Sequence, residues 1–459
     1  MGGGVFKAAL ASAALAVGLS GGLSGTPALA QQVELTRGQV FALAMQQLQA
    51  GEAAKALVLA NALIGANPEE SAPWIVKSRA LLALGKARAA RDAAQRAWAL
   101  AEKQNVRFGA AMAMTESTRA TGNLTMAQVW SRFAYENAKT PGEVQLATRA
   151  YKTIQAENPF SFSLQATMFP NKNVNNGSSA DVIFIGGLPF VPVRHSGWTT
   201  ELSGGVTYRF SKREHGASFI GLRGYLAKHW LDEESRNEIL TNIDPDDTVH
   251  DFDFASVTAT FRHVETVGRM TYSFDAGLSR SFYGWEHYAD TANVSGEARF
   301  RLSRQTELSL IGRARGQWYA DPADAPVYSF DLGGKVRHTL ANGDRISFTL
   351  TGETAFSNDE PREYLGGKID VQYEFGKPVA GLDLDVSAYL GYRDYAVSPY
   401  DPDGRHDWSY GGKISAGIPS ISVLGFMPVV DVKYNRRITN VAAYEANSLQ
   451  IGVSLKSEF

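Results

Sequence analysis

Residues 328–350 read YSFDLGGKVRHTLANGDRISFTL, and apolar side chains take every second position on both sides of residues 341–344. Charged side chains (Asp331, Lys335 and Arg337) lie between the apolar ones. A period of two on either side of an Asn-Gly step predicts two antiparallel strands joined by a tight turn. The apolar face consists of Tyr328, Phe330, Leu332, Gly334, Val336, Ile346, Phe348 and Leu350.

The same alternation begins at Phe160 and continues to the end of the chain, with short and long links in turn. We count fourteen strands, so the 301 residues after Asn158 give about 21 residues per strand and link. Strands of about 9–11 residues suffice to cross a bilayer. A soluble sandwich also alternates, and sixteen strands is the main alternative count. We predict a transmembrane antiparallel β-barrel of about fourteen strands over residues 158–459, with a polar lumen and an apolar exterior that contacts outer-membrane lipid and lipopolysaccharide.

The last strand carries the most specific local signal of the barrel. Its apolar positions alternate up to a terminal aromatic residue, as in the C-terminal strands by which bacterial outer-membrane barrels are recognised. We therefore expect the barrel-assembly machinery to be a partner. The assembly signal comprises Leu449, Ile451, Val453, Leu455 and Phe459.

The region before the barrel is helical and repetitive. Residues 31–157 contain 30 Ala but only 7 of the 44 Gly, and 15 basic against 10 acidic residues give this segment a formal charge of +5. Gly51 and Gly85 are 34 residues apart, and Gly122 follows 37 residues later. A 34-residue helix–turn–helix period is typical of tetratricopeptide repeats. We predict a short α-solenoid of three helix pairs and a final helix over residues 143–156, with a concave face that holds an acidic or extended client segment; an unrelated Ala-rich bundle is the alternative. The whole chain is then an α+β multidomain membrane protein.

The first thirty residues are typical of a secretory signal peptide. Lys7 precedes an apolar stretch, and Ala28 and Ala30 form a small-x-small cleavage pattern, so the mature chain is expected to begin at Gln31. An uncleaved anchor helix is the alternative. Residues 1–30 as a signal peptide and residues 31–157 as a periplasmic domain agree with export to the envelope of a Gram-negative bacterium.

Composition excludes several kinds of function. The chain has no cysteine, so disulfides, thiolate metal sites and cysteine nucleophiles are absent. A net charge of −2 argues against nucleic-acid binding. The eight histidines show no metal-ligand spacing, and no nucleophile or phosphate-loop motif occurs. We expect no enzyme activity, cofactor or metal; the acidic residues of 244–253 indicate either a solvated loop or a weak cation site.

The link after the first strand contains the candidate client or lumen segment. Five residues mark it: Asn171, Asn173, Val174, Asn175 and Asn176. A polar turn is the simpler interpretation of these residues. The apolar run at residues 182–193 follows, and its exposure to water would be unfavourable. We expect it to be buried, as a constriction in the lumen or against a client.

The arrangement of a signal peptide, a short tetratricopeptide-like domain and a C-terminal barrel resembles the surface lipoprotein assembly modulators (Slam), with their barrel of the DUF560 type. Locally, NPFSFSL at residues 158–164 and FPNKNVN at residues 169–175 are similar to the family's first barrel strand and the segment that follows it. Lys172 stands where the family pattern has Ser. The resemblance covers essentially the whole mature chain.

This resemblance implies an outer-membrane translocator that delivers a lipoprotein or secreted partner to the cell surface without local ATP. The helical domain would capture the client, and the client would then pass through the barrel or leave it laterally. Family clients include iron- and haem-acquisition proteins. Two alternatives remain: an exopolysaccharide export porin, which also combines tetratricopeptide repeats with a barrel, and a barrel enzyme that acts on lipid.

Overall fold

The structure is a computed structural model that describes residues 35–185, 188–241 and 250–457. The expected signal cleavage site at Ala28, Ala30 and Gln31 therefore lies outside the described residues, as does Phe459. The chain divides into two compact units. The first ends at Asn158 and is called the helical unit; the second begins at Pro159 and is called the barrel unit.

The helical unit contains three antiparallel helix pairs followed by a seventh helix, as the repeat predicts. Each helix contacts the next, and the odd-numbered helices also contact one another in series. This is the arrangement of a helical solenoid. The helices are α1 (Arg37–Gln49), α2 (Ala53–Ala66), α3 (Ser71–Ala83), α4 (Ala87–Leu100), α5 (Gln104–Ala120), α6 (Leu124–Glu136) and α7 (Pro141–Glu157).

The three repeat glycines form the turn inside each helix pair. Gly51, Gly85 and Gly122 have φ angles of +80°, +73° and +84° and follow the C-cap residues of α1, α3 and α5. In each case the next backbone N–H donates to a carbonyl five residues earlier, for example from Lys86 to Leu81 at 2.9 Å. This is the Schellman ending of a helix, which needs a left-handed residue. The 34-residue spacing therefore reflects a conformational requirement.

Small residues let the helices approach closely. Ala56, Ala60, Ala90 and Ala94, which recur at the repeat spacing, have no exposed surface. Larger side chains fill the space between later helices: the Trp98 ring contacts the ring of Trp130 edge-on, with centroids 5.2 Å apart. The alanine pattern is thus the core of the helical unit.

The second unit is a closed barrel of fourteen antiparallel strands, which confirms the predicted architecture. Two further strands, β2 and β3, form a separate hairpin inside the link after β1, and a helix that the sequence did not predict, α8 (Glu233–Thr241), lies in the link after β5. The strands are β1 (Phe160–Asn171), β2 (Ile183–Ile185), β3 (Leu188–Phe190), β4 (Gly197–Lys212), β5 (Gly216–Leu231), β6 (Phe254–Val267), β7 (Met270–Tyr283), β8 (Glu286–Arg301), β9 (Thr306–Tyr319), β10 (Val327–Thr339), β11 (Arg345–Ser357), β12 (Tyr364–Glu374), β13 (Asp383–Tyr395), β14 (Arg405–Gly417), β15 (Phe426–Thr439) and β16 (Ala446–Ser457).

The barrel presents its apolar face outward. Alternate side chains of every barrel strand, such as Leu222, Leu278, Leu332 and Leu365, are exposed large hydrophobics. A continuous apolar exterior of this extent is stable only in lipid, and barrel closure satisfies the backbone polar groups there. The protein is therefore an outer-membrane β-barrel protein.

None of the helices in the described residues is long and apolar enough to cross a membrane.

Candidate functional site

A groove runs across the odd-numbered helices of the helical unit. It has a volume of about 600 Å³ and is lined by residues of α3, α5 and α7 together with the start of α6. Its floor combines buried and half-buried apolar side chains with one buried hydroxyl: Leu82, Met112, Thr115, Ala150 and Ile154.

The hydroxyl in the floor is already satisfied, because Thr115 Oγ1 donates to the Ala111 carbonyl at 2.8 Å. Leu146, by contrast, leaves 53% of its surface exposed. A groove with an apolar floor and an exposed apolar side chain can take an extended or helical polypeptide segment. The concave face that the repeat predicts is therefore present with a defined floor.

Charged side chains border this groove. Arg119 Nε donates to Glu157 at 2.8 Å, and Arg79 lies 3.8 Å from Glu116. Burial raises the pKa of the Glu116 carboxyl, and attraction to Arg79 offsets only part of this effect. Arg149 also lines the groove. Within the groove the acidic and basic side chains balance, so the formal +5 charge of the segment does not make the groove itself basic.

The lumen face of the barrel carries ion pairs between neighbouring or nearby strands. Representative distances are 3.3 Å for Arg262 with Asp275, 2.9 Å for Arg393 with Glu353 and 2.9 Å for Lys413 with Asp431. Because opposite charges alternate along the wall, these pairs provide no field of a single sign.

The predicted segment after β1 forms a hydrogen-bonded loop. Asn171 is the last residue of β1 and donates to Thr199 Oγ1 at 3.1 Å. Asn173 Nδ2 donates to the Gly177 carbonyl at 2.7 Å. Asn175 donates to the Val193 carbonyl at 2.9 Å and accepts from the His195 backbone N–H at 3.0 Å.

The other two residues of the segment complete this loop. Val174 is buried, and its N–H donates to the His195 carbonyl at 2.7 Å. Asn176 adopts a left-handed φ of 51°, which asparagine tolerates. All five predicted residues are thus brought together, and their contacts are those of the polar turn that was the simpler interpretation.

The described side chains of the apolar run at residues 182–193 are not buried within the chain, which corrects the expectation of a packed constriction; burial against a client stays a prediction. It folds into the β2–β3 hairpin, in which Ile183 pairs with Phe190. The exposed fractions are 64% for Phe184, 64% for Leu188 and 76% for Val191. A three-residue hairpin pairs its own backbone but is too small to bury its side chains on itself.

Sequence reasoning missed a stacked arginine at the start of β14. The Arg405 guanidinium lies between the rings of Tyr395, at 3.6 Å, and Tyr444, at 3.9 Å, and is 3.3 Å from Asp407. Arg405 and Asp407 are both buried. These contacts anchor the short helix Ala442–Tyr444 that precedes β16. No local pattern predicts this cluster, because three separate strands and links supply it.

The acidic residues that suggested a cation site have a structural role where they are described. Asp253 is buried and accepts hydrogen bonds from the His229 backbone N–H at 2.9 Å and from Trp285 Nε1 at 3.2 Å. Asp244, Asp246 and Asp247 lie outside the described residues. Among the residues that the structure describes, no three His, Asp or Glu side chains are grouped to hold a metal ion.

The predicted assembly strand is β16. Leu449, Ile451, Val453 and Leu455 are exposed on its outward face. The inward face of β16 bears Ser454 and Lys456, which bond to Asp431 at 3.1 Å and Asp383 at 3.2 Å. The outward series thus matches the pattern that the sequence predicts up to Ser457.

Comparisons with known proteins give partial structural overlaps. No protein-family model matches the chain, and no curated protein matches it. The Yersinia enterocolitica type III secretion chaperone SycD, solved with a peptide of the translocator YopD, overlaps 26% of this chain and 92% of its own at 22% identity, with a TM-score of 0.23.

Two solved structures overlap a larger share of the chain. Pseudomonas aeruginosa OccK9 (OpdG) overlaps 64% of this chain and 97% of its own at 10% identity, with a TM-score of 0.36. A bacterial polysaccharide outer membrane secretin overlaps 65% and 98% at 10% identity, with a TM-score of 0.33.

Proposed function

We propose that this protein is an outer-membrane translocator whose helical unit captures a polypeptide segment and whose barrel passes the partner toward the cell surface. The observation that carries the proposal is the groove of about 600 Å³ across α3, α5 and α7, on the same chain as an outer-membrane barrel. A porin for small solutes has no use for such a groove. The helical unit is then periplasmic, because clients approach from that side.

The class of cargo follows from the chemistry of both units. The groove floor is apolar and its charged border is balanced, which suits a segment with apolar side chains better than a uniformly charged polymer. The lumen wall is lined by opposite charges in pairs, such as Lys413 with Asp431. An acidic exopolysaccharide would instead be favoured by a wall of one sign. We therefore favour a protein client over the polysaccharide alternative.

The finer form of the proposal follows the resemblance to the surface lipoprotein assembly modulators. The client is then a lipoprotein or secreted partner, and the protein acts without enzymatic chemistry or a cofactor. The barrel-assembly machinery inserts the barrel by reading β16. The exposed β2–β3 hairpin, on the link that the resemblance highlights, is a second surface for the client.

The test is a pair of matched substitutions on exposed apolar helix residues. Leu146→Asp places a charge in the groove, whereas Val58→Asp places one on α2, where Val58 is 58% exposed and does not line the groove. Surface proteins of cells that carry each variant are labelled and compared with those of wild-type cells.

The proposal predicts that Leu146→Asp removes one or a few proteins from the surface and leaves them in the periplasm, while Val58→Asp changes nothing. Barrel insertion must be equal in both, as judged by migration of unheated samples on a gel. Normal surface proteins with a loss of surface polysaccharide in Leu146→Asp would support the polysaccharide alternative. Identical surfaces in both variants would refute capture by the groove.

A further inference from the structure

One junction of the barrel differs from all the others. β1 pairs with β4 along its whole length, Phe160–Asn171, and β12 pairs with β13 over residues 365–374. Between β1 and β16, which close the barrel, the described residues contain a single pair in register, Met168 with Val453. We call this junction the seam.

The two strands of the seam are close enough to form a longer ladder. An antiparallel ladder that continued from Met168 and Val453 would pair residues 165–171 with residues 450–456. A Cβ added at Gly452 would lie 3.0 Å from Thr167 Cγ2 and 3.5 Å from the Met168 carbonyl oxygen. Among the described residues the two strands therefore lie side by side with a shorter ladder than at any other junction, so fewer backbone pairs hold the seam than hold the rest of the wall.

Each side of the seam is held firmly by its own neighbour. β16 pairs with β15 over residues 446–457, and on the lumen side Lys456 reaches across to Asp383 and Asp385 of β13. β1 is held by its complete ladder with β4. If β1 and β16 separate, β1 remains paired with β4 and β16 remains paired with β15.

Two hydrogen bonds between loops connect the two sides of the seam at one end, and we call them the clasp. Ser178 Oγ donates to the Ala442 carbonyl at 2.6 Å, and the Ser179 N–H donates to the Glu445 carbonyl at 2.9 Å. These bonds join the link after β1 to the link before β16. The exposed strand β2 begins four residues after Ser179.

We infer that the seam is a docking edge for an extended polypeptide segment, which pairs with β1 when β1 and β16 part. A backbone edge recognises another strand through its N–H and carbonyl groups, so the partner must be a polypeptide in extended form. On one face of β1 the side chains of Phe162 and Leu164 are exposed, and on the other those of Ser161 and Ser163. The partner strand therefore alternates apolar and polar residues, with its apolar face toward lipid.

The first test measures whether the seam parts. The chain has no cysteine, so spin labels can be placed at will. Met168→Cys with Val453→Cys labels the seam. Ile369→Cys with Leu390→Cys labels a register pair of the β12–β13 ladder as the control. In full-length protein in lipid nanodiscs, pulsed distance measurements should show a second, longer population at the seam and a single short one at the control.

The second test measures docking with a defined probe. The probe is a synthetic peptide, ANSLQIGCSLKS, which copies residues 446–457 with cysteine in place of Val453. Under mild oxidation it should form a mixed disulfide with the Met168→Cys protein about tenfold more than with the Ile369→Cys protein. Tenfold corresponds to about 1.4 kcal/mol, which is of the order of one backbone hydrogen bond.

Equal peptide labelling at the two positions, or one short distance population at the seam, would overturn the inference. The inference takes only the class of partner from the proposed function, and neither test uses a natural client. If the groove does not capture clients, these two results are unaffected. If the seam does not dock a strand, the comparison of Leu146→Asp with Val58→Asp still decides the proposed function.

Discussion

Two glycine-to-alanine substitutions in the helical unit should change its stability in opposite directions. Gly85 has a φ of +73° between α3 and α4, whereas Gly65 lies within α2. A Cβ added at either position meets no atom within 4 Å. The two changes therefore differ only in backbone conformation, which isolates the effect of the left-handed turn.

The magnitudes follow from these conformations. A non-glycine residue in the left-handed region costs about 1–2 kcal/mol, so Gly85→Ala should destabilise the helical unit by about that amount. Gly65→Ala should stabilise it by about 0.5–1 kcal/mol, because alanine loses less backbone entropy in a helix. For a unit of this size, 1 kcal/mol corresponds to a change in Tm of about 4 °C.

The assay is thermal unfolding of the full-length protein, followed by the helical signal in far-ultraviolet circular dichroism. Wild-type protein and both variants are compared in the same detergent. Gly85→Ala should melt several degrees lower and Gly65→Ala a few degrees higher. A shift of the same sign in both variants would refute the assignment of Gly85 as an obligatory left-handed turn between the helices of one repeat.

Four further outcomes are expected. Deletion of Phe459 should reduce the amount of assembled barrel in membranes, measured by heat-modifiable migration, and equal assembly would exclude a role for this residue in the assembly signal. Glu116→Gln should raise the Tm at neutral pH but not at pH near 4, because a raised pKa in the folded state means that stability is lost as the pH rises through it; a pH-independent gain would contradict this. Deletion of residues 178–195 should leave single-channel conductance in planar bilayers unchanged and lower client display, since the exposed hairpin does not behave as a buried plug; a rise in conductance would restore the lumen interpretation. Removal of residues 31–157 should leave a folded barrel without client display, and unchanged display would exclude the helical unit as the capture site.

Periodicity was sufficient to predict the architecture of both units. In the barrel, lipid and lumen impose opposite preferences on alternate residues, so each strand shows its orientation in its own sequence. In the helical unit, Gly51, Gly85 and Gly122 recur because each turn needs a left-handed residue, and the alanines recur because the helices approach closely. In both cases a local physical requirement repeats along the chain.

The links between strands were harder to predict, because their conformations depend on distant partners. The apolar run at residues 182–193 was expected to be buried, yet it forms a hairpin whose clasp partners, Ala442 and Glu445, lie more than 240 residues away in the sequence. The stack of Tyr395, Arg405 and Tyr444 joins three separate regions of the chain in the same way. Such contacts leave no spacing pattern that a sequence could reveal.

The candidate groove was predicted only in outline. The repeat period indicated a concave face, but the excess positive charge of the segment suggested an acidic client. In the structure, Arg119 is bonded to Glu157 and Arg79 lies close to Glu116, so these basic side chains are balanced at the groove. Total charge could not predict this balance, because each pairing depends on which helices pack together.

The most direct test of capture is site-specific photo-crosslinking in living cells. A photoreactive amino acid replaces Leu146 in the groove or Val58 on α2, both of which are more than half exposed. During client export, the Leu146 position should form a crosslink to a polypeptide that is also found on the surface of wild-type cells, and the Val58 position should not. Capture by the groove is contradicted if neither position crosslinks a polypeptide, or if both crosslink the same proteins equally.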